Sequence, residues 1–133
     1  LLHPDAERLL VTRLLPLADL VTPNLGEAGA LTGTTVRTPA DMEAAGRTLI
    51  DKGAKAALVK GGHLDGEVLV DVLVTRTGVS RFEHRKVAAP SVHGTGCVLS
   101  AAIAAGLAKG VGLDDAVEDA IKLVQRRIAT ARG

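Results

Sequence analysis

A glycine-rich turn over residues 94–96 opens directly onto a run of small apolar residues, and this pattern predicts a buried helix. Gly94 and Gly96 lack a Cβ atom, so the backbone there can approach a ligand closely. The first amides of a helix have no intrahelical partner and lie at the positive end of its dipole, where phosphate commonly binds. Gly94, Thr95 and Gly96 are therefore candidates for an anion site, although glycines before a helix often serve close packing alone.

The one cysteine of the chain, Cys97, falls in the first turn of that predicted helix. The helix dipole favours the thiolate over the thiol at such a position, so Cys97 could act as a base. A lone cysteine is more often a small buried apolar residue, and that interpretation stays open. His63 and His93 are alternative bases, although a loop histidine more often makes only a local hydrogen bond.

Two further groups of residues carry chemistry, and each follows a short apolar run. After residues 19–22, Glu27 could hold Mg²⁺ directly or through water, with Asn24 as a neutral partner. The same two residues have the spacing of a helix capping box, and spacing alone favours the cap. After residues 56–59, Lys60 beside Gly61 could place an ammonium on a phosphate; a lysine whose aliphatic stem covers apolar surface at a strand end is the competing interpretation.

Apolar runs, caps and breaking residues predict alternating helices and strands. The predicted helices cover residues 1–15, 25–31, 39–52, from about 97 towards 110, and 113–129. The predicted strands cover residues 19–22, 56–59, 68–75 and 79–87, the last two forming a hairpin around Thr77-Gly78. This alternation predicts an α/β fold with a mostly parallel sheet and helices on both faces.

In such a sheet, ligands bind at the carboxyl ends of the strands. The fold would therefore gather Asn24 with Glu27, Lys60 with Gly61, and the 93–97 turn at one edge. Phosphoryl transfer needs a metal site, a cation and backbone amides that bind the phosphoryl group, and these groups would supply all three. Cys97 would add the base.

Composition excludes several other classes of function. A chain of 133 residues with net charge +1 is one domain's worth of protein, with no general field that attracts nucleic acid or membrane. Its single aromatic residue, Phe82, disfavours recognition of nucleic acid by base stacking. No charged-then-apolar leader opens the chain, and Gly106 and Lys109 interrupt the most apolar helix, so neither secretion nor membrane spanning is expected. One cysteine allows no internal disulfide, which fits a cytoplasmic location.

Three segments closely resemble the hydroxymethylpyrimidine and phosphomethylpyrimidine kinases of thiamine biosynthesis, which belong to the ribokinase-like superfamily. The segments are ADLVTPNLGEAGALTG (18–33), ALVKGGH (57–63) and HGTGCVLSAAIAAGLAKG (93–110). The HGTGC motif is the most specific part, because most of the superfamily has aspartate where this chain has Cys97. A minority of pyridoxal kinases share the cysteine. Gly26 stands where the family usually has proline, which leaves Asn24 and Glu27 in place.

The resemblance implies a three-layer ribokinase-like fold and ATP-dependent phosphorylation of hydroxymethylpyrimidine and of its monophosphate. It implies that Cys97 takes the proton from the hydroxymethyl group and that the backbone of Gly94, Thr95 and Gly96 forms the anion hole. Asn24 and Glu27 match the element that organises Mg²⁺ and phosphate in the family. The residues implied to contact ATP are Lys60, Gly61 and Lys122.

Family members run to about twice this length, and the sequence matches their C-terminal half. Residues 1–133 are therefore expected to form a single partial domain that lacks most contacts to the pyrimidine ring. Family members are commonly dimers, which allows a homodimer here. Two alternatives remain open: a pyridoxal kinase of the cysteine-containing type, and a non-catalytic fragment that binds nucleotide.

Overall fold

A computed structural model of the chain describes residues 10–61, 68–85 and 95–131, together with Asp5 and Arg8. The chain divides into two compact units, Leu1–Arg85 and Lys86–Gly133. In the first unit, a π-helical segment over Leu10–Leu14 and a 3₁₀ turn over Leu15–Leu17 precede α1 (Leu25–Thr32), α2 (Pro39–Asp51), β1 (Ala56–Val59), β2 (Val68–Thr75) and β3 (Gly78–Arg85). The second unit contains α3 (Thr95–Ala108) and α4 (Leu113–Ala131).

Local signals in the sequence set the ends of the two helices of the first unit. Both helices begin with a capping box, formed by Asn24 with Glu27 in α1 and by Thr38 with Asp41 in α2. The hydrogen bond from the backbone amide of Arg37 lowers the pKa of the Asp41 carboxyl below its usual value, and hydrogen bonds with Thr38 lower it further. Helix α1 ends at Gly33, which takes the left-handed conformation at φ 72°. The predicted helices over 25–31 and 39–52 are thus confirmed to within a residue at each end.

The three strands form an antiparallel sheet in the order β1-β2-β3, so the prediction of a mostly parallel sheet is wrong for the described strands. Val59 pairs with Val72 across the β1–β2 ladder, and Val74 pairs with Val79 across the hairpin. Only residues 60–67 connect β1 to β2. A parallel pairing needs a crossover of a dozen or more residues, so this short connection forces the antiparallel arrangement.

Parallel pairing occurs along the other side of β1, with residues 18–23. Val21 donates to the carbonyl of Ala56 at 3.1 Å and accepts from the amide of Leu58 at 2.8 Å. Pro23, the next residue facing β1, has no N–H to donate, and it only accepts from Lys60 at 2.9 Å. The strand predicted over 19–22 is therefore reduced to isolated bridges.

The apolar core of the first unit lies between its helices and one face of the sheet. Its main cluster consists of Ala28, Val36, Met42, Ala45, Val59, Val72 and Val74. A second cluster consists of Leu15, Leu49, Ala54 and Ala57. These contacts place helices on one face of this sheet, and the expectation of helices on both faces stays a prediction.

The second unit is a pair of packed helices. Leu99 and Ile103 of α3 are buried, as are Val117 and Ile121 of α4. A Cβ added at Gly106 would lie 3.1 Å from the Cβ of Ala116, so the glycine permits the close approach of the two helices. No helix within the described residues is both long enough and apolar enough to cross a membrane.

Substitution of Gly46 by alanine is expected to destabilise the first unit. Gly46 lies in α2, and a Cβ there would lie 2.5 Å from Cγ2 of Val74, a buried branched residue with little room to move. We expect Gly46→Ala to lower the free energy of unfolding by about 1–3 kcal/mol, measured by urea denaturation. Gly26→Ala is the matched control, because its Cβ would meet only Asn24 Oδ1 at 3.6 Å. Equal stability of the two variants would contradict the packing described.

Candidate functional site

The carboxyl end of β1 and the start of α1 lie side by side at one edge of the sheet. Asn24 and Lys60 form a parallel bridge, and the amide of Lys60 donates to the carbonyl of Pro23 at 2.9 Å. Glu27 lies in the first turn of the helix that Asn24 begins. The structure therefore brings together two of the three groups that the sequence predicts to converge, namely Asn24 with Glu27 and Lys60 with Gly61.

Asn24 and Glu27 form the capping box that their spacing favours. Asn24 Oδ1 accepts from the amide of Glu27 at 2.8 Å, and Glu27 Oε1 accepts from the amide of Asn24 at 3.0 Å. The cap occupies only one carboxylate oxygen of Glu27, whose side chain is exposed. Mg²⁺ is usually held by one or two carboxylates together with phosphates and waters, so the remaining oxygen of Glu27 fits such a role. Within the described residues, no group of three or more histidine, cysteine, aspartate or glutamate side chains could hold a metal ion.

Lys60 is half-buried at the end of β1. Among the described residues, none forms an ion pair with its ammonium. A lysine ammonium without a carboxylate partner, at the carboxyl end of a strand, is suited to an anionic ligand such as a phosphate group. The two elements that meet at this edge therefore offer a cation from Lys60 and a carboxylate oxygen from Glu27.

The amide that follows Lys60 is already committed to a side chain. Gly61 is buried, and its N–H donates to Oδ1 of Asp71 at 2.9 Å. The other oxygen of Asp71 lies 3.0 Å from Nε2 of His84. The sequence prediction missed both Asp71 and His84. A signal was present, because Asp71 is the one charged residue in the apolar run VLVDVLVT of β2.

The remaining predicted site residues belong to the second unit or lie outside the described residues. Cys97 lies in the first turn of α3, as the sequence predicts, but the helix begins at Thr95, so Thr95 and Gly96 belong to it and not to a turn before it. Gly94, His93 and His63 lie outside the described residues. Lys122 is exposed on α4, where its Nζ lies 3.5 Å from Glu118. An exposed pair of this kind stabilises little, so Lys122 is open to other anionic partners.

Comparison with known proteins identifies relatives over nearly the whole chain. The family model described as phosphomethylpyrimidine kinase matches residues 1–132. The hydroxymethylpyrimidine/phosphomethylpyrimidine kinases of Rhizobium meliloti and Escherichia coli are 45% and 43% identical over 132 residues. Each alignment covers 98% of this chain and 50% of the relative. The chain thus spans about half the length of the curated relatives it matches.

Solved structures agree with this fold. A pyridoxal kinase from Staphylococcus aureus in complex with ADP matches with a TM-score of 0.91 and 34% identity, over 96% of this chain and 48% of that one. A phosphomethylpyrimidine kinase from Clostridium difficile matches with a TM-score of 0.75 and 37% identity, over 98% of this chain and 50% of that one. The chain therefore has an α/β fold that matches about half of a ribokinase-like kinase.

Removal of the Asn24 side chain is expected to weaken the start of α1. Because Asn24→Ala deletes the oxygen that accepts from the Glu27 amide, we expect the free energy of unfolding to fall by about 1 kcal/mol. Asn24→Ser is the control, since a serine oxygen can accept at the same position. Urea denaturation of both variants tests the cap, and an equal loss for alanine and serine would contradict it.

Proposed function

The chain belongs to the phosphomethylpyrimidine kinase family, and on that premise we propose that the protein containing it phosphorylates hydroxymethylpyrimidine and then its monophosphate, with ATP as donor. The observation that carries this proposal is the 45% identity over 132 residues to a kinase of that named activity. Because the chain spans half of such relatives, the activity is proposed for the whole protein. Its pathway would be thiamine biosynthesis, and its substrate a small molecule.

The proposed chemistry at the second unit is deprotonation of the acceptor. Cys97 removes the proton from the hydroxymethyl group while the freed oxygen forms a bond to the γ-phosphorus, and the bond to the ADP oxygen breaks. The amides of residues 94–96 stabilise the negative charge on the transferred phosphoryl group. Two features of the first turn of α3 support these roles. Cys97 lies in that turn, where the helix dipole favours the thiolate. The first amides of a helix have no intrahelical partners, so they can donate to the phosphoryl group.

The proposed chemistry at the nucleotide is neutralisation of its phosphates. Lys60 contacts a phosphate through its ammonium, and Lys122 contacts the nucleotide from α4. Glu27, oriented by its cap with Asn24, is the residue that would hold Mg²⁺, which supplies positive charge to the β- and γ-phosphates when bound. In support, pyridoxal kinases similar to this chain are described in complex with ADP and with AMP-PCP.

A second acceptor is supported by one specific observation. A pyridoxal kinase from Staphylococcus aureus in complex with pyridoxal matches this chain with a TM-score of 0.89. Its identity to this chain is 34%, compared with 45% for the Rhizobium meliloti hydroxymethylpyrimidine/phosphomethylpyrimidine kinase. Hydroxymethylpyrimidine is therefore the preferred proposal, and pyridoxal is the alternative acceptor.

The proposal is tested by ADP release from the intact protein with hydroxymethylpyrimidine and, separately, with pyridoxal. We expect the higher kcat/KM with hydroxymethylpyrimidine. Cys97→Ala should lower kcat by about 10²–10⁴-fold, the usual contribution of a general base, with the affinity for ATP near that of the wild type. Cys97→Asp is the control, because a carboxylate can serve as the base.

Two results would contradict the proposal at different points. A preference for pyridoxal would replace the acceptor, while leaving the kinase assignment in place. Retention of most activity by Cys97→Ala would remove Cys97 from the role of base.

A further inference from the structure

Asp71 is the one buried charged or polar residue among those the structure describes, with 5% of its surface exposed. A carboxylate inside a protein is costly unless its oxygens are hydrogen-bonded. Both oxygens of Asp71 have partners, one from β3 and one from the residue that follows Lys60. The position of this carboxylate in an otherwise apolar strand therefore requires an explanation beyond packing.

The first partner of Asp71 fixes the backbone next to Lys60. The Gly61 amide donates to Oδ1 of Asp71, a residue of β2, at 2.9 Å. The Lys60 amide donates to the carbonyl of Pro23 at 2.9 Å, from the opposite side of β1. Two consecutive amides are thus held from two directions. The base of the Lys60 side chain is fixed in place, although its ammonium forms no ion pair with a described residue.

The second partner of Asp71 fixes the carboxylate itself. His84 Nε2 lies 3.0 Å from Asp71 Oδ2, from the neighbouring strand β3. The other ring nitrogen, Nδ1, is buried and has no hydrogen-bond partner in the described chain. The contact with Asp71 is therefore the polar contact that orients this imidazole. A hydrogen bond to a carboxylate is roughly twice as strong as one between neutral groups, which makes Asp71 a firm support for the Gly61 amide.

We propose that Asp71, held by His84, is a positioning residue that fixes Lys60 and Gly61 so that the Lys60 ammonium meets the phosphates of ATP. This inference rests on the proposed function, and it assigns to Asp71 no contact with the nucleotide. Through Asp71, the apolar strand β2 would contribute to nucleotide binding although Lys60 follows the neighbouring strand β1.

The test uses steady-state kinetics of the intact protein with three single variants. Asp71→Ala removes both acceptors, and we expect KM for ATP to rise about tenfold, as for loss of a hydrogen bond to a charged group. Asp71→Asn should recover most of the affinity, because its oxygen still accepts from Gly61 and its amide can donate to a His84 whose proton has moved to Nδ1. Leu73→Ala is the matched control, since Leu73 is buried on the same strand with 1% exposed. It should lower stability and leave KM for ATP unchanged.

A double-mutant cycle with Lys60→Ala separates positioning from general destabilisation. If Asp71 acts through Lys60, Asp71→Ala should add little to the KM change already caused by Lys60→Ala. Full additivity, or a KM in Asp71→Ala equal to that of Leu73→Ala, would overturn the inference while wild-type activity upholds the proposed function. A wild-type protein that neither phosphorylates either acceptor nor binds ADP would overturn both.

Discussion

The pairing of residues 18–23 with β1 is the constraint on which the candidate site depends. Pro23 interrupts that pairing by removing one donor, and the chain leaves the strand at Asn24, which begins α1. Because the bridge between Asn24 and Lys60 lies at the same point, the start of the helix and the end of β1 are fixed relative to each other. Glu27 and Lys60 are thereby placed at one edge although they are far apart in sequence. Glu27 closes the helix cap and the Lys60 amide pairs with Pro23, so both residues stabilise the fold at the edge where the nucleotide is proposed to bind.

Features governed by neighbouring residues could be predicted from the sequence. The capping boxes at Asn24 and Thr38 involve residues three apart, and the hairpin between β2 and β3 depends on a short turn, so local chemistry sufficed for both. The direction of the β1–β2 pairing could not be derived in that way. A continuous apolar run is compatible with either direction, and the length of the connection, rather than the composition of the strands, decides between them.

The contacts of Asp71 show a second limit of prediction from sequence. Its partners are ten and thirteen residues away along the chain, and they are brought close only by the register of the sheet. A lone carboxylate in an apolar strand signals a buried partner without identifying it. The roles of Cys97 and of the 94–96 amides depended on resemblance, because a glycine turn before a helix is common to many proteins. Family membership supports those roles as proposals for this chain.

Each of the two units carries residues that the proposed reaction would use. The first offers a cation and a carboxylate oxygen at the end of β1, which suit the phosphates of a nucleotide. The second offers the start of α3, with Cys97 in its first turn, which suits the acceptor and the transferred group. The chain spans about half the length of its curated relatives, so the activity and its acceptor are proposals for the whole protein. The described residues support most directly the proposal that Lys60, at the carboxyl end of β1, binds the nucleotide phosphates.

The most direct test of nucleotide binding at Lys60 is the affinity of the intact protein for AMP-PCP, measured by titration calorimetry. The measurement compares two variants, in each of which one of the two lysines that flank β1 is replaced. Lys55 lies at the opposite end of β1 from Lys60, is 68% exposed, and pairs with Asp19 at 3.0 Å. Lys60→Ala is expected to weaken binding about tenfold or more, through loss of a charge-assisted contact to phosphate. Lys55→Ala is expected to bind like the wild type. Unchanged affinity in Lys60→Ala, or an equal loss in both variants, would contradict a phosphate site at this edge.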